Sequence, residues 1–221
     1  MERSHAWGDD LRPADLSRST LKDSTEALIR RALLSGAMRP GEIYSANALA
    51  ARLGVSNSPA REAMMSLANK GLLELVRNRG FRVVELTDRD KQEVYDLRRL
   101  IEVEAVRRVA AAGVTGEQAA LLRTLTERTV DAAGADGMPE YLEADQRFHV
   151  ALVDMLGNGR WTAIVENLRD QSRINGSYHL QERGLVRSSA AEHRGITDAV
   201  VAGDPELAAQ RMIRHLDYAR P

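Results

Sequence analysis

Between residues 23 and 86, apolar positions recur first at helical and then at strand spacing. Leu28, Ile29, Ala32 and Leu33 form one stripe, which predicts a helix capped by Asp23 or Ser24 and ending near Gly36. Arg39-Pro40-Gly41-Glu42 reads as a turn, and residues 42–44 as a short strand. Ser45 then caps a helix that carries Leu49 and Leu53 and stops at Gly54. In the next segment Ser58 is the expected cap, Pro59 the first helical residue and Gly71 the end. Two strand-like runs, 72–76 and 81–86, flank Arg77-Asn78-Arg79-Gly80. Helix, helix, tight turn, helix and hairpin is the order of a winged helix-turn-helix, expected over residues 20–86. Residues 1–19 lack a periodic apolar pattern and are expected to be a flexible tail.

Beyond residue 86 the pattern is helical throughout. Thr87 caps a long segment with Val94, Leu97, Ile101 and Ala105 on one stripe, broken at Gly113. Further helices are expected at about 116–133, 139–156, 160–175, 188–202 and 205–219. Gly134, Gly137-Met138-Pro139, Gly157 to Gly159 and Gly203-Asp204-Pro205 supply the breaks. The fold class is therefore mainly α: the winged module, then an all-helical bundle over residues 87–221.

Composition narrows the chemistry. The 221 residues contain no Cys, which excludes disulfides, thiolate zinc fingers, iron-sulfur clusters and cysteine nucleophiles. No apolar run approaches a membrane span and the first 20 residues lack a signal-peptide core, so a cytoplasmic location is expected. The net charge of -1 hides an asymmetry. Residues 22–82 hold ten basic and five acidic side chains, whereas residues 85–221 hold 18 basic and 23 acidic. The first part suits a polyanion; the second does not.

In a helix-turn-helix the second helix enters the major groove with its N-terminal residues at base edges. Those residues are Ser56, Asn57, Ser58 and, one turn on, Arg61. Asn pairs bidentately with adenine, Arg with guanine, and Ser donates to phosphate. Arg77 and Arg79 at the hairpin tip are placed for phosphates or the minor groove, with Gly80 permitting the turn. The stretch ALIRRALLSGAMRPGEIYSANALAARLGVSNSPAREAMMSLANKGLLELVRNRGFRVVEL resembles the DNA-binding domain of GntR-family transcription regulators. The resemblance implies that Arg61 and Gly80 match family positions near DNA. It also shows two departures, Asn47 and Asn57, at DNA-facing positions where many relatives carry Arg.

In the second half, Leu142, Asp145, His149, Leu152 and Leu156 share one helical stripe, which places a carboxylate and an imidazole on an inward apolar face. His193 shares a face with Ile196 and Val200, and His215 with Ala208 and Met212. A single such His is usually a satisfied core residue. Three imidazoles converging on a carboxylate instead offer the geometry of a divalent cation, since an unpaired buried carboxylate is costly. Zinc suits such a set, as do nickel and manganese. Arg98 and Asn175 look like donors for an anion, although Arg98 also fits as a buried partner of Glu102 one turn along.

DLRRLIEVEAVRRVAAAG, EADQRFHVALVDMLGN, AAEHRGITDAVVAGDPELA and MIRHL resemble the FCD-type effector domain of the FadR-like branch of GntR regulators. In its metal-containing members an Asp and three His hold a divalent metal under a small-molecule pocket. The match falls on Asp145, His149, His193 and His215, and the family arginine falls on Arg98. Acyl-CoA-responsive members lack this set, so the resemblance implies a small organic acid. The expectation is a homodimeric, non-enzymatic regulator of a double-stranded operator, with that acid as effector. The rival readings are a structural or sensed metal without an organic effector, and a metal-dependent hydrolase.

Overall fold

The computed structural model describes residues 16–134, 138–176 and 178–221. These fall into two compact units, one comprising the described residues up to Arg30 with Ile43–Arg82, the other Arg31–Glu42 with Val83–Pro221.

The first unit holds most of α1 (Leu16–Leu34), β1 (Ile43–Tyr44), α2 (Ala46–Leu53), α3 (Asn57–Asn69), β2 (Leu73–Val76) and β3 (Gly80–Val83, whose last residue falls to the second unit). The strands form one sheet in the order β1-β3-β2, with Ile43 opposite Arg82 and Tyr44 opposite Phe81 in the antiparallel β1–β3 pair. Ala60, Ala63, Met64 and Leu67 on α3 and Leu73 and Phe81 on the sheet are buried. As expected, Ser45 caps α2 by accepting from the Ala48 amide, and Gly54 closes it in the left-handed conformation.

Three expectations at element ends need correction. Helix α1 begins at Leu16, so Asp23 and Ser24 lie inside it and residues 16–19 are helical; residues 1–15 of the expected tail lie outside the described residues. Helix α3 starts at Asn57 with Ser56 as N-cap, not Ser58, whose hydroxyl instead donates to Glu62 Oε1 at 2.8 Å. Pro59 is then the third helical residue, which costs nothing because the first four amides of a helix have no intrahelical acceptor. Strand β3 ends at Val83, short of residue 86.

The second unit is built from α4 (Asp88–Ala112), α5 (Gly116–Gly134), α6 (Met138–Asp154), α7 (Gly159–Gly176), α8 (Tyr178–Glu182), α9 (Val186–Val201) and α10 (Pro205–Leu216), with a closing 3₁₀ turn at Asp217–Ala219. Beyond Val83 its described residues contain no strand. Gly137, one of the expected breaks, lies outside the described residues, and α8 is a short helix that the apolar pattern does not announce. Thr87 caps α4 through a full capping box with Asp90. Helix α4 packs on α10 and α7, α5 on α6 and α9, and α9 on α10. Val106, Leu122, Phe148, Leu152, Ile196 and Met212 lie at the centre of the core.

The inward stripe of α4 is the expected one only at Val94 and Ala105, which are buried. Leu97 is exposed and Ile101 half-buried, while Arg98 and Glu102 are buried together with Val94, Val106 and Val109. Two opposite charges that neutralise each other one turn apart can occupy the inside, and this rotates the apolar stripe by about one residue.

Candidate metal centre and DNA-reading surface

On the first unit, Asn47 on α2 and Ser56, Asn57, Ser58 and Arg61 around the start of α3 are all exposed, as are Arg77 and Arg79 at the hairpin tip. The tip is turned by Asn78 at φ 60, and Arg79 N donates to Val76 O. Gly80, which follows this turn, has a second reason to be glycine. Its φ is +126, and a Cβ there would meet the Tyr44 carbonyl oxygen at 2.4 Å, so close passage of β1 excludes any side chain.

In the second unit three helices each contribute a pair of polar residues spaced by four: Arg98 and Glu102 from α4, Asp145 and His149 from α6, and Arg169 and Arg173 from α7. All six are buried. His193 from α9 and His215 from the last turn of α10 complete the cluster. Asp145, His149, His193 and His215 each offer a ligand atom, and these atoms lie within 4.8 Å of one another. His149 Nε2 is 3.0 Å from His215 Nε2 and 3.3 Å from His193 Nε2. Asp145 Oδ1 lies 3.3, 3.7 and 3.9 Å from Nε2 of His193, His149 and His215.

The donor set fits a cation. Burial pushes the His149 imidazole down to about 3, helped by the charge of Arg169 and opposed by Glu102. Burial also holds His215 well below its usual range, with the neighbouring histidines adding to the effect. His193 Nδ1 lies 3.1 Å from the Ala190 carbonyl, which only accepts, so a neutral His193 turns its Nε2 lone pair toward Asp145. His215 Nδ1 has no hydrogen-bond partner among the described residues. Burial alone would raise the Asp145 carboxyl, yet Arg169 and Arg173 hold it well below the usual carboxylate range. With Nδ1 protonated on each ring, three Nε2 lone pairs and a carboxylate oxygen would stand 3.0 to 3.9 Å apart and repel, an arrangement that a positive centre relieves. Ligands held about 2.0–2.1 Å from a first-row cation stand at comparable separations of roughly 3 Å or slightly more.

A cavity of about 650 Å³ adjoins the cluster. Asp145, His215, Arg98, Arg169 and Arg173 line its polar end, with Tyr141, Ser172 and Ser189 beside them. Tyr141 donates to Ser189, and burial raises its hydroxyl pKa. Arg173 is depressed to about 10 by burial, against the pull of Asp145.

Two family models match the chain: the gntR family of bacterial regulatory proteins over residues 21–83, and the FCD domain over residues 93–218. The chain belongs to the GntR family of transcription regulators. The Nta operon transcriptional regulator of Aminobacter aminovorans is 31% identical to it, over 80% of this chain and 82% of the relative. The gluconate operon transcriptional repressor of Bacillus licheniformis is 31% identical over 70% and 63% of the two chains. In fold, the E. coli McbR/YncC structure superposes with a TM-score of 0.80 at 24% identity, covering 89% of this chain and 93% of that one.

Of the residues singled out in this GntR-family chain, the structure brings together Asp145, His149, His193, His215 and Arg98. It leaves Asn175 apart. The Asn175 side chain accepts from Leu86 N at 2.9 Å and donates to Gln171 O, and it does not line the cavity. Sequence reasoning passed over Arg169 and Arg173. Their signal was available: Val165, Arg169 and Arg173 recur at steps of four, so two guanidiniums continue the face of a fully buried valine.

Proposed function

We propose that this GntR-family regulator holds a divalent cation, zinc or alternatively nickel or manganese, on Asp145, His149, His193 and His215. A small organic acid would occupy the cavity beside it as effector. The observation that carries this reading is a charge balance. Counted without the histidines, the buried charges among the described residues of the second unit are Arg98, Arg169 and Arg173 against Glu102, Asp145 and Asp170, three on each side. A divalent cation adds two positive charges that no further buried carboxylate offsets, and burying unbalanced charge is costly. An incoming dicarboxylate restores the balance, and a monocarboxylate removes half of the excess. The cavity mouth adds Lys91, Arg183 and Arg220 against Asp88, the same sign preference.

When bound, the cation would supply coordination positions for a carboxylate oxygen. Arg98 would clamp that carboxylate with its guanidinium, and Ser172 and Tyr141 would orient the rest of the acid. Because Asp145 and His215 line an open cavity, this reading is favoured over a sealed structural metal. The gluconate operon repressor among the relatives makes a sugar acid a sensible first probe. A ligand regulates only by distinguishing two states, so the acid must shift the equilibrium between helical packings that match an operator well and poorly.

The exposed residues Asn47, Asn57, Arg61, Arg77 and Arg79 would contact operator DNA, and with it the protein would work in the cytoplasm. A homodimer on two half-sites is supported by α4. Leu97 and Leu100 are 45% and 70% exposed on it, and Leu100 lines a groove with Ile101, Trp161 and Ile213. Glu93 and Asp96 precede these leucines and Arg107 and Arg108 follow them, so two antiparallel copies would oppose unlike charges.

The test is a thermal-shift screen of hydroxy acids, dicarboxylates and sugar acids against metal-loaded protein, followed by operator binding with each hit. A hit at one hundred times its Kd stabilises by about 2.7 kcal/mol. Chelation or Arg98→Ala should abolish the shift, and the acid should change operator affinity. An acid that binds equally well without metal, or leaves DNA binding untouched, overturns the reading.

A further inference from the structure

We propose that Glu102 is a positioning residue of the metal centre, acting through the outer nitrogen of His149, and that Arg169 sets the working oxygen of Asp145. The inference rests on the metal reading above and adds two residues that lie outside the ligand set.

Glu102 is fully buried and does not line the cavity. A carboxylate in that position is retained only if its oxygens are engaged. Oε1 accepts from Arg98 Nε at 2.8 Å, and Oε2 accepts from Arg169 Nη1 at 2.8 Å. His149 Nδ1 also stands 2.9 Å from Oε2, in close contact but out of line for a hydrogen bond. Two guanidinium donors, one on each oxygen, suit an anionic carboxylate.

A carboxylate against the far nitrogen of a ligating imidazole fixes the tautomer and makes the near nitrogen a better ligand. His193 has the Ala190 carbonyl for this purpose, and His215 has no partner at its Nδ1. Glu102 is therefore the one anionic partner at an outer imidazole nitrogen of the set, among the described residues. On the other side of the centre Arg169 Nη2 and Arg173 Nη2 both donate to Asp145 Oδ2, leaving Oδ1 to face the three imidazoles. That division favours one-oxygen coordination and keeps room for a further ligand. Arg169 bridges the two carboxylates, so it ties the support of His149 to the orientation of Asp145.

A structural role alone would require only that Glu102 neutralise Arg98 and Arg169. Two variants separate the readings: Glu102→Gln keeps the shape and removes the charge, while Glu102→Asp keeps the charge and withdraws it from His149. Zinc affinity by chelator competition and the visible spectrum of the cobalt-loaded protein are the readouts, with far-ultraviolet circular dichroism reporting folding. Both variants are expected to bind zinc about 10- to 100-fold more weakly with wild-type helicity. In a His149→Ala background, adding Glu102→Gln should cost no further affinity.

Should either variant fail to fold, the unsubstituted protein still decides, because ¹⁵N-histidine spectra on zinc addition must show His149 bound through Nε2 with a proton on Nδ1. Zinc on Nδ1, or wild-type zinc affinity in the folded variants, overturns the assignment. Wild-type protein that takes up no metal overturns the metal reading itself, and this inference with it.

Discussion

The backbone of Gly80 passes so close to Tyr44 that a Cβ at position 80 would lie 2.4 Å from the Tyr44 carbonyl oxygen. The contact joins β1 to β3, and the φ of +126 at Gly80 is one that side chains rarely allow. Gly80→Ala should therefore destabilise the DNA-reading unit by about 2 to 4 kcal/mol, combining backbone strain with overpacking. Urea unfolding followed by circular dichroism checks this. An alanine variant as stable as wild type would show that β1 can move away freely.

Arg61 projects from the first turns of α3 and is exposed. If it reads a base, Arg61→Ala should weaken binding to a selected operator by about 1 to 3 kcal/mol and relax sequence preference. Arg79→Ala should instead weaken all sequences alike and make the salt dependence shallower by about one unit. Fluorescence anisotropy over a salt series distinguishes the two, and an unchanged Arg61→Ala affinity in folded protein refutes the recognition-helix assignment.

Elemental analysis of gently purified protein should find about one divalent metal per chain. His193→Ala removes a ligand whose ring is already fixed by Ala190, so it should lose that metal while keeping its helices. Chelation of the wild type should lower Tm, because a ligand bound only by the native state stabilises it in proportion to the logarithm of its saturation. No metal in the purified protein, nor after reconstitution with zinc, nickel and manganese in turn, would remove the centre from the mechanism.

Leu100 is 70% exposed on the outward side of α4, and a carboxylate there costs nothing in a monomer. Leu100→Asp should convert a dimer to monomers in sedimentation velocity, with unchanged helicity and weakened operator binding. A variant that stays dimeric places the interface elsewhere.

Much of the fold could be read before any coordinates. Turn and cap chemistry is local: Ser45, Gly54 and Thr87 do what their side chains and backbone freedom demand, and the structure shows each at its expected task. The shift of the α3 cap from Ser58 to Ser56 is the size of error that such signals leave, because two serines two residues apart present the same chemistry. The stripe holding Asp145 and His149 was legible for a similar reason, since helical period alone puts them on the face of Leu142 and Leu152.

Periodicity places a residue on a face but cannot say what stands opposite. It put Leu97 inside, where the structure buries Arg98 and Glu102, which pair one turn apart and gain a further partner from another helix. Arg169 is that partner, 67 positions along the chain, and it bridges Glu102 to Asp145. Asn175 was lost to the cavity by the same kind of distant contact, a backbone amide at Leu86 that takes its side-chain oxygen. Local spacing along the chain thus determined most of the helices and put Asp145, His149, His193 and His215 on inward faces. Only the packing of α4, α6 and α7 against one another decided which charges neutralise one another, since that choice depends on distances between helices that no single helix encodes.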